Sequence, residues 1–335
     1  MYSELEDTEK SLYIDILKKS TDYKALLDFE NFEEYITKAS INKISKALTN
    51  FIQNTKYDKI SRILPILVSS KIEKMKLFDL IKLKNQDVQL VYIPSPPASE
   101  HIFYHIYNCL IEELGLNILE EISKKIQTEN IRKSRCVRAI TDYFHDNEKR
   151  EAVTRWFLGE ELSINEKNLL GFKDNIETDD ISFEMIKLIG NLSNGVILLY
   201  FDDIELPYTE FGEFAERKFL ETLKRLHREV KQLIIILICS RNSWSKILSL
   251  ADESLSSILG PEMGFYDFSQ LKGFISNAMD EYWLKNGIKP PVNKYFPLNE
   301  KLINVLFEEC EGEIRRFLKL YRETIGKIIS GEISM

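Results

Sequence analysis

The segment GVILLYFDDIE, residues 195–205, constrains the fold more than any other stretch of the chain. Six apolar residues, Val196 to Phe201, run without interruption into two adjacent carboxylates, Asp202 and Asp203. A half-solvated strand alternates apolar and polar side chains. A continuous run instead marks a strand buried on both faces, as in the parallel sheet of an α/β domain. Acidic residues at the carboxyl end of such a strand stand where open α/β sheets bind ligands.

The surrounding sequence supplies the rest of that sheet. RILPILVSS (62–70) reads as a strand despite Pro65, KIEKMKLFDLIKLK (71–84) as a helix, and VQLVYIP (88–94) as a second strand. After the SPPASE loop, HIFYHIYNCLIEELG (101–115) reads as a helix closed by a glycine. The strand at 196–201 is followed by a helix over 212–230 and a fourth strand, LIIILIC (233–239), which ends in CSRNSW. Strands alternating with helices predict a parallel sheet. Residues 118–192 are charged and helical in pattern, with no strand among them. Three parts follow: an N-terminal helical extension over 1–58, an α/β domain over 59–264 with a helical insert at about 118–192, and a helical domain over 265–335.

At 335 residues, 44% hydrophobic and 29% charged, the chain has the composition of a soluble globular protein with room for a sizeable core. The formal net charge of −8 argues against coating nucleic acid by charge alone. No apolar run approaches bilayer length, and the acidic, polar MYSELEDTEKSLY is unlike a signal peptide. Cys109, Cys136, Cys239 and Cys310 lie far apart, which predicts free thiols in a reducing cytoplasm.

An Asp at the end of such a strand helps hold the magnesium ion of a nucleotide in P-loop NTPases. That role needs a loop GxxxxGK[ST] after the first strand: glycines wrap the phosphates, the lysine reaches them and the hydroxyl binds the metal. Laid over SKIEKMKL (70–77), the pattern puts Ser70 and Met75 at the glycines, Lys76 at the lysine and Leu77 at the hydroxyl. One position in four matches. A lysine-rich surface helix is the preferred reading; the loop's place exists, but its chemistry has been lost.

The order of elements, FDDIE on the third strand, SRN after the fourth, and EGEIRRFLKLY in the helical C-terminal part resemble AAA+ ATPases. The branch resembled is that of the archaeal origin-recognition initiators and the ATP-binding proteins of BREX phage-exclusion systems. RAITDYFHDNEKREAVTRWFLGEELSINEKNLLG (138–171) in particular is similar to the helical insert of the BREX proteins. The likeness covers roughly residues 60–330 and leaves out 1–58. It implies a P-loop NTPase, AAA+-like parallel sheet flanked by helices, with 265–335 as a C-terminal helical lid.

Carried over by position, Asp202 matches the metal-binding Walker B aspartate. Asp203 takes the place of the catalytic, water-activating glutamate, one methylene shorter. Asn242 resembles the sensor 1 residue near the γ-phosphate. Lys76 and Arg315 would be the cofactor-binding cations, Arg315 as the sensor 2 arginine. The residues themselves leave other readings open. Asp202 and Asp203 would serve equally as solvated strand-end charges or caps, Asn242 and Ser243 as helix caps, and Arg315 and Arg316 as a salt-bridged surface with Glu308 or Glu311. His101 and His105, four apart without a third ligand, read as ordinary histidines.

With the phosphate loop degenerate, no cofactor is expected. The chain then reads as a pseudo-ATPase, a structural or regulatory member of a protein assembly in a DNA-linked process, with an active ATPase as a candidate partner. The alternative is an atypical switch that binds ATP and Mg2+ through Lys76, Asp202 and Arg315. The family's winged-helix DNA-binding module is not expected after Leu320, so direct origin recognition is not either. The apolar positions of 1–58, among them Leu12, Leu17, Leu27, Phe32 and Tyr35, must be buried by the rest of the chain or by a partner.

Overall fold

The structure, a computed structural model, describes residues 7–68, 71–84, 88–94, 101–129, 131, 134–172, 174–264, 268–310 and 313–333. The chain divides into two compact units, residues 44–265 and residues 1–43 with 266–335.

The first unit is built on a five-stranded parallel sheet in the order β2-β3-β4-β1-β5. Its strands are β1 (Arg62–Val68), β2 (Gln89–Ile93), β3 (Ile197–Phe201), β4 (Leu233–Ser240) and β5 (Met263–Gly264). The uninterrupted apolar runs become its middle: every residue of β3 is buried, as is Leu233–Cys239 in β4. Pro65 is tolerated in β1 for a geometric reason. The Ile63 carbonyl accepts from the Gly260 N–H at 2.7 Å, on the side away from β4. Alternate residues of a strand point the same way, so the proline nitrogen also faces away from the long β1–β4 ladder. β5, with two residues, has no pattern that the sequence reading could have caught.

Helices flank the sheet. Ile102–Leu114 and Asp179–Leu192 pack together through Phe103 and Phe183, whose ring centroids are 4.5 Å apart. The Arg225 guanidinium lies 3.9 Å from the Phe183 centroid. Over 118–192 the chain forms the helices Ile118–Glu129, Arg135–His145, Arg150–Phe157, Ile164–Leu170 and Asp179–Leu192. Its WFLGEEL segment does structural work. Trp156 is buried and donates to the Asp174 carbonyl at 3.3 Å. Gly159 takes φ +71°, where a Cβ would strike the Tyr104 hydroxyl. Ser163 and Glu166 form a reciprocal capping box, and Arg155 pairs with Glu160 and Glu166.

The second unit draws on both ends of the chain. Helices Asp7–Lys19 and Tyr23–Leu26 and the start of Phe29–Asp58 share a core with Phe268–Lys285, Glu300–Glu309 and Ile314–Ser330. Tyr23 meets Tyr282 edge-on at 5.9 Å, Phe32 meets Phe274 at 5.2 Å, and Tyr13 meets Trp283 at 5.1 Å. The Tyr282 hydroxyl donates to the Ser20 carbonyl at 2.9 Å. Leu17, Leu27 and Phe32 are buried, Phe32 against Phe274 of a C-terminal helix, while Leu12 and Tyr35 stay exposed. No helix among the described residues is long and apolar enough to cross a membrane.

Candidate functional site

The connection that leaves β1 crosses to the edge strand β2, whereas the one that leaves β4 passes β1 in the opposite direction to reach β5. Neighbouring strands whose connections part in this way open a crevice at their carboxyl ends. A cleft of about 850 Å3 lies there, within the size range of small-molecule sites. Val68, Tyr92, Tyr200 and Ser240 line it from the strand ends, and Lys74 and Phe78 from the helix Lys71–Lys84.

Asp202 and Asp203 stand in this cleft. Consecutive residues of a strand point to opposite faces, so two adjacent carboxylates would normally diverge. Here the chain turns. Asp203 adopts φ +47°, a left-handed conformation that Asp tolerates better than most residues, and its N–H donates to Asp202 Oδ1 at 2.8 Å. Both side chains then converge on one cation, the Lys74 ammonium: Nζ is 3.1 Å from Asp202 Oδ1 and bonds Asp203 Oδ1 as well. Asp202 Oδ2 accepts from the Tyr92 hydroxyl at 2.9 Å. The Lys74 carbonyl accepts from the Tyr200 hydroxyl at 3.1 Å, which ties the first turns of the helix to β3.

Tyr92 and Tyr200 are register partners on β2 and β3 and stack at 5.9 Å, and Phe78 meets both edge-on at 5.4 and 5.3 Å. The electrostatics follow from this packing. Burial pulls the Lys74 ammonium down, but the two carboxylates more than offset it, and its pKa lies above the usual lysine value. Burial and then the Asp202 carboxylate raise Tyr92 and Tyr200 well above the ordinary phenol range.

A second acidic group starts from Glu205, which also lines the cleft. Glu205 Oε1 accepts from the Ser240 N–H at 3.1 Å and Glu216 Oε2 from the Tyr208 N–H at 3.1 Å. Glu216 is fully buried, and its Oε1 has no hydrogen-bond partner. Burial pushes its pKa up to about 7, with Glu205 adding to the shift and the Tyr208 N–H opposing it. Burial and Glu205 also push the neighbouring Cys239 thiol well up.

The residues singled out in the sequence fare differently. Asp202 and Asp203 come together. Leu77, aligned with the metal-binding hydroxyl, is fully buried, and Met75, aligned with a glycine, is 60% exposed on the helix. The side chains of Lys76 and Asn242 lie outside the described residues, as does Ser70. Arg315 belongs to the unit formed by the chain ends, where its guanidinium sits 4.3 Å from the Phe29 centroid. His101 Nδ1 and His105 Nε2 each meet a backbone carbonyl, of Glu177 and Pro94. No cluster of three metal-ligating side chains occurs among the described residues. All four cysteines are free and buried.

The sequence reading missed Lys74, Phe78, Tyr92 and Tyr200. A signal was present for the tyrosines: LVYI and LLYF each place one Tyr next to the last residue of an apolar strand. In parallel neighbours ending at the same level, those two rings must meet.

No protein-family model matches the chain, and no curated protein matches it. Nine chains of solved structures do. One belongs to a structure of Drosophila ORC bound to GC-rich DNA and Cdc6, at 8% sequence identity and a TM-score of 0.39. The match covers 93% of this chain, which spans 42% of that one. No role passes from that protein to this one on such a likeness.

Proposed function

We propose that this chain is a degenerate AAA+-like module of P-loop type. It acts in the cytoplasm as a structural or regulatory subunit of a protein assembly, without effective ATP hydrolysis. The observation that carries this reading is Leu77. At the place where a phosphate loop needs a metal-binding hydroxyl, the chain has a fully buried leucine that packs the helix against its surroundings. A magnesium nucleotide does not fit the described residues: no hydroxyl replaces that ligand on the helix, and the carboxylates opposite are held by Lys74. A fold that has lost this chemistry still offers surfaces for assembly. Its partners on this reading are other protein subunits of a DNA-linked process, an active ATPase among them.

A second reading draws on Lys74. A cation does stand in the cleft, so an atypical ATP-binding switch could use it with Asp202, and with Lys76 and Arg315 as the AAA+ resemblance implies. Calorimetric titration of ATP, with and without magnesium, separates the two. The first reading expects no saturable binding and no steady turnover. Turnover near or above about one per second, abolished by Asp202→Asn, would overturn it. Recovery from native cells as a free monomer would count against the assembly role.

A further inference from the structure

We propose that Lys74 is a built-in counter-ion that fills the place a divalent metal would take between Asp202 and Asp203. The inference deepens the reading of the β3 end as a lost metal site. It rests on how the two carboxylates are used. Asp202 Oδ1 takes the Lys74 ammonium at 3.1 Å and the Asp203 N–H at 2.8 Å, and Oδ2 takes the Tyr92 hydroxyl. Asp203 Oδ1 takes the same ammonium. Hard divalent cations bind through carboxylate oxygens, Mg2+ at about 2.0–2.1 Å. The oxygens that converge here already converge on a positive charge. A metal at this point would have to approach the ammonium closely, in a cleft where the Lys74 and Asp202 side chains are only 17% and 14% exposed.

The lysine is also held in place. Its carbonyl is bonded to Tyr200, and Phe78, one turn further along the helix, packs edge-on against both tyrosines. The left-handed turn at Asp203 brings the second carboxylate round to the same nitrogen. The arrangement is therefore a cation site in which the protein supplies the cation. Removing the ammonium leaves two converging carboxylates and a cleft open to solvent, which is the chemistry that takes Mg2+, Mn2+ or Ca2+.

The test uses the full chain and the metal alone, without nucleotide. Mn2+ binding is followed by electron paramagnetic resonance, and the thermal midpoint is measured with and without Mn2+. The wild type is expected to bind no Mn2+ saturably at this site and to keep its midpoint. Lys74→Met and Lys74→Gln are expected to melt lower without metal, to bind one Mn2+ and to recover the midpoint with it. Adding Asp202→Asn to either should abolish the recovery. A variant that is unfolded without metal and folded with it supports the proposal.

Equal Mn2+ affinity in wild type and variants would overturn it. So would folded variants that bind none, or variants that stay unfolded in both conditions. ATP turnover by the wild type would defeat the proposed function but leave this result to stand or fall on its own.

Discussion

Glu216 shows what a single buried carboxyl does to the stability of this fold. Its pKa rises from 4.5 in the unfolded chain to about 7 in the folded one. Below pH 4.5 the group is protonated in both states, and its contribution is fully present. As pH climbs towards 7 the unfolded chain releases the proton first, so stability falls across that window and the contribution is lost above it. A shift of this size corresponds to about 3 kcal/mol. Glu216→Gln has no such proton, so urea unfolding between pH 5 and pH 8 should give a flatter profile than wild type. Equal slopes would show that Glu216 does not hold its proton.

At Lys74 the effect is electrostatic in the other direction. Removing one partner of a fully buried ion pair costs about 3–5 kcal/mol. Because Asp203 is 44% exposed, Lys74→Met should cost less, about 1–3 kcal/mol by denaturant titration without metal. That residue also marks where sequence reading stops. The helix Lys71–Lys84 carries several lysines, and one of them, Lys74, lines the cleft at the strand ends. A pattern match cannot tell which, because the choice depends on how the helix is rotated against the sheet. Asp202 and Asp203 were legible because a strand end fixes their place whatever the rotation.

Among the elements, the helix Asp179–Leu192 carries a glycine that propensity argues against. In an ordinary helix interior, Gly→Ala stabilises by about 1 kcal/mol. At Gly190 a Cβ would lie 2.3 Å from Val230 Cγ1, because the chain entering β4 passes close to the helix there. Gly190→Ala should therefore destabilise by about 1–3 kcal/mol, as overpacked cores do, and thermal melting gives the sign directly. The capping box offers a milder check: Ser163→Ala should cost about 1 kcal/mol, read by the same melting.

Legibility followed the same logic at this scale. β1 to β4 could be read because each is a long apolar run, and the helix 71–84 because its pattern fits between two of them. β5 could not. Met263–Gly264 is too short for any periodicity, and it forms only because β1 presents Ile66 and Leu67 as partners. The helices of 118–192 were legible as a block, but not their packing, since ring-on-ring contacts such as Phe103–Phe183 depend on tertiary rotation.

For the molecule as a whole, the unit formed by the chain ends carries the clearest expectation. Tyr23, Phe32 and Tyr13 are packed against Tyr282, Phe274 and Trp283. Deleting residues 1–43 should uncover those rings, making the C-terminal helices labile to limited proteolysis and the protein prone to aggregate. A deletion that melts and purifies like the full chain would show that the segment is a detachable arm. The sequence left open whether these apolar positions were buried by the chain or by a partner, because composition shows only that they need cover.

This shared core has a consequence for how the protein is made. The Tyr282 hydroxyl and the Ser20 carbonyl are 262 residues apart along the chain. On the ribosome, at about 5–20 residues per second, the first segment would wait on the order of ten to fifty seconds for its partner helices to be synthesised. Meanwhile Tyr23 and Phe32 lack the Tyr282 and Phe274 rings that they meet in the finished fold, whereas the sheet between them can already close. Nascent chains stalled before residue 268 should therefore recruit a holdase through their N-terminal segment, and site-specific crosslinking from Phe32 should lose that signal once residue 333 has emerged.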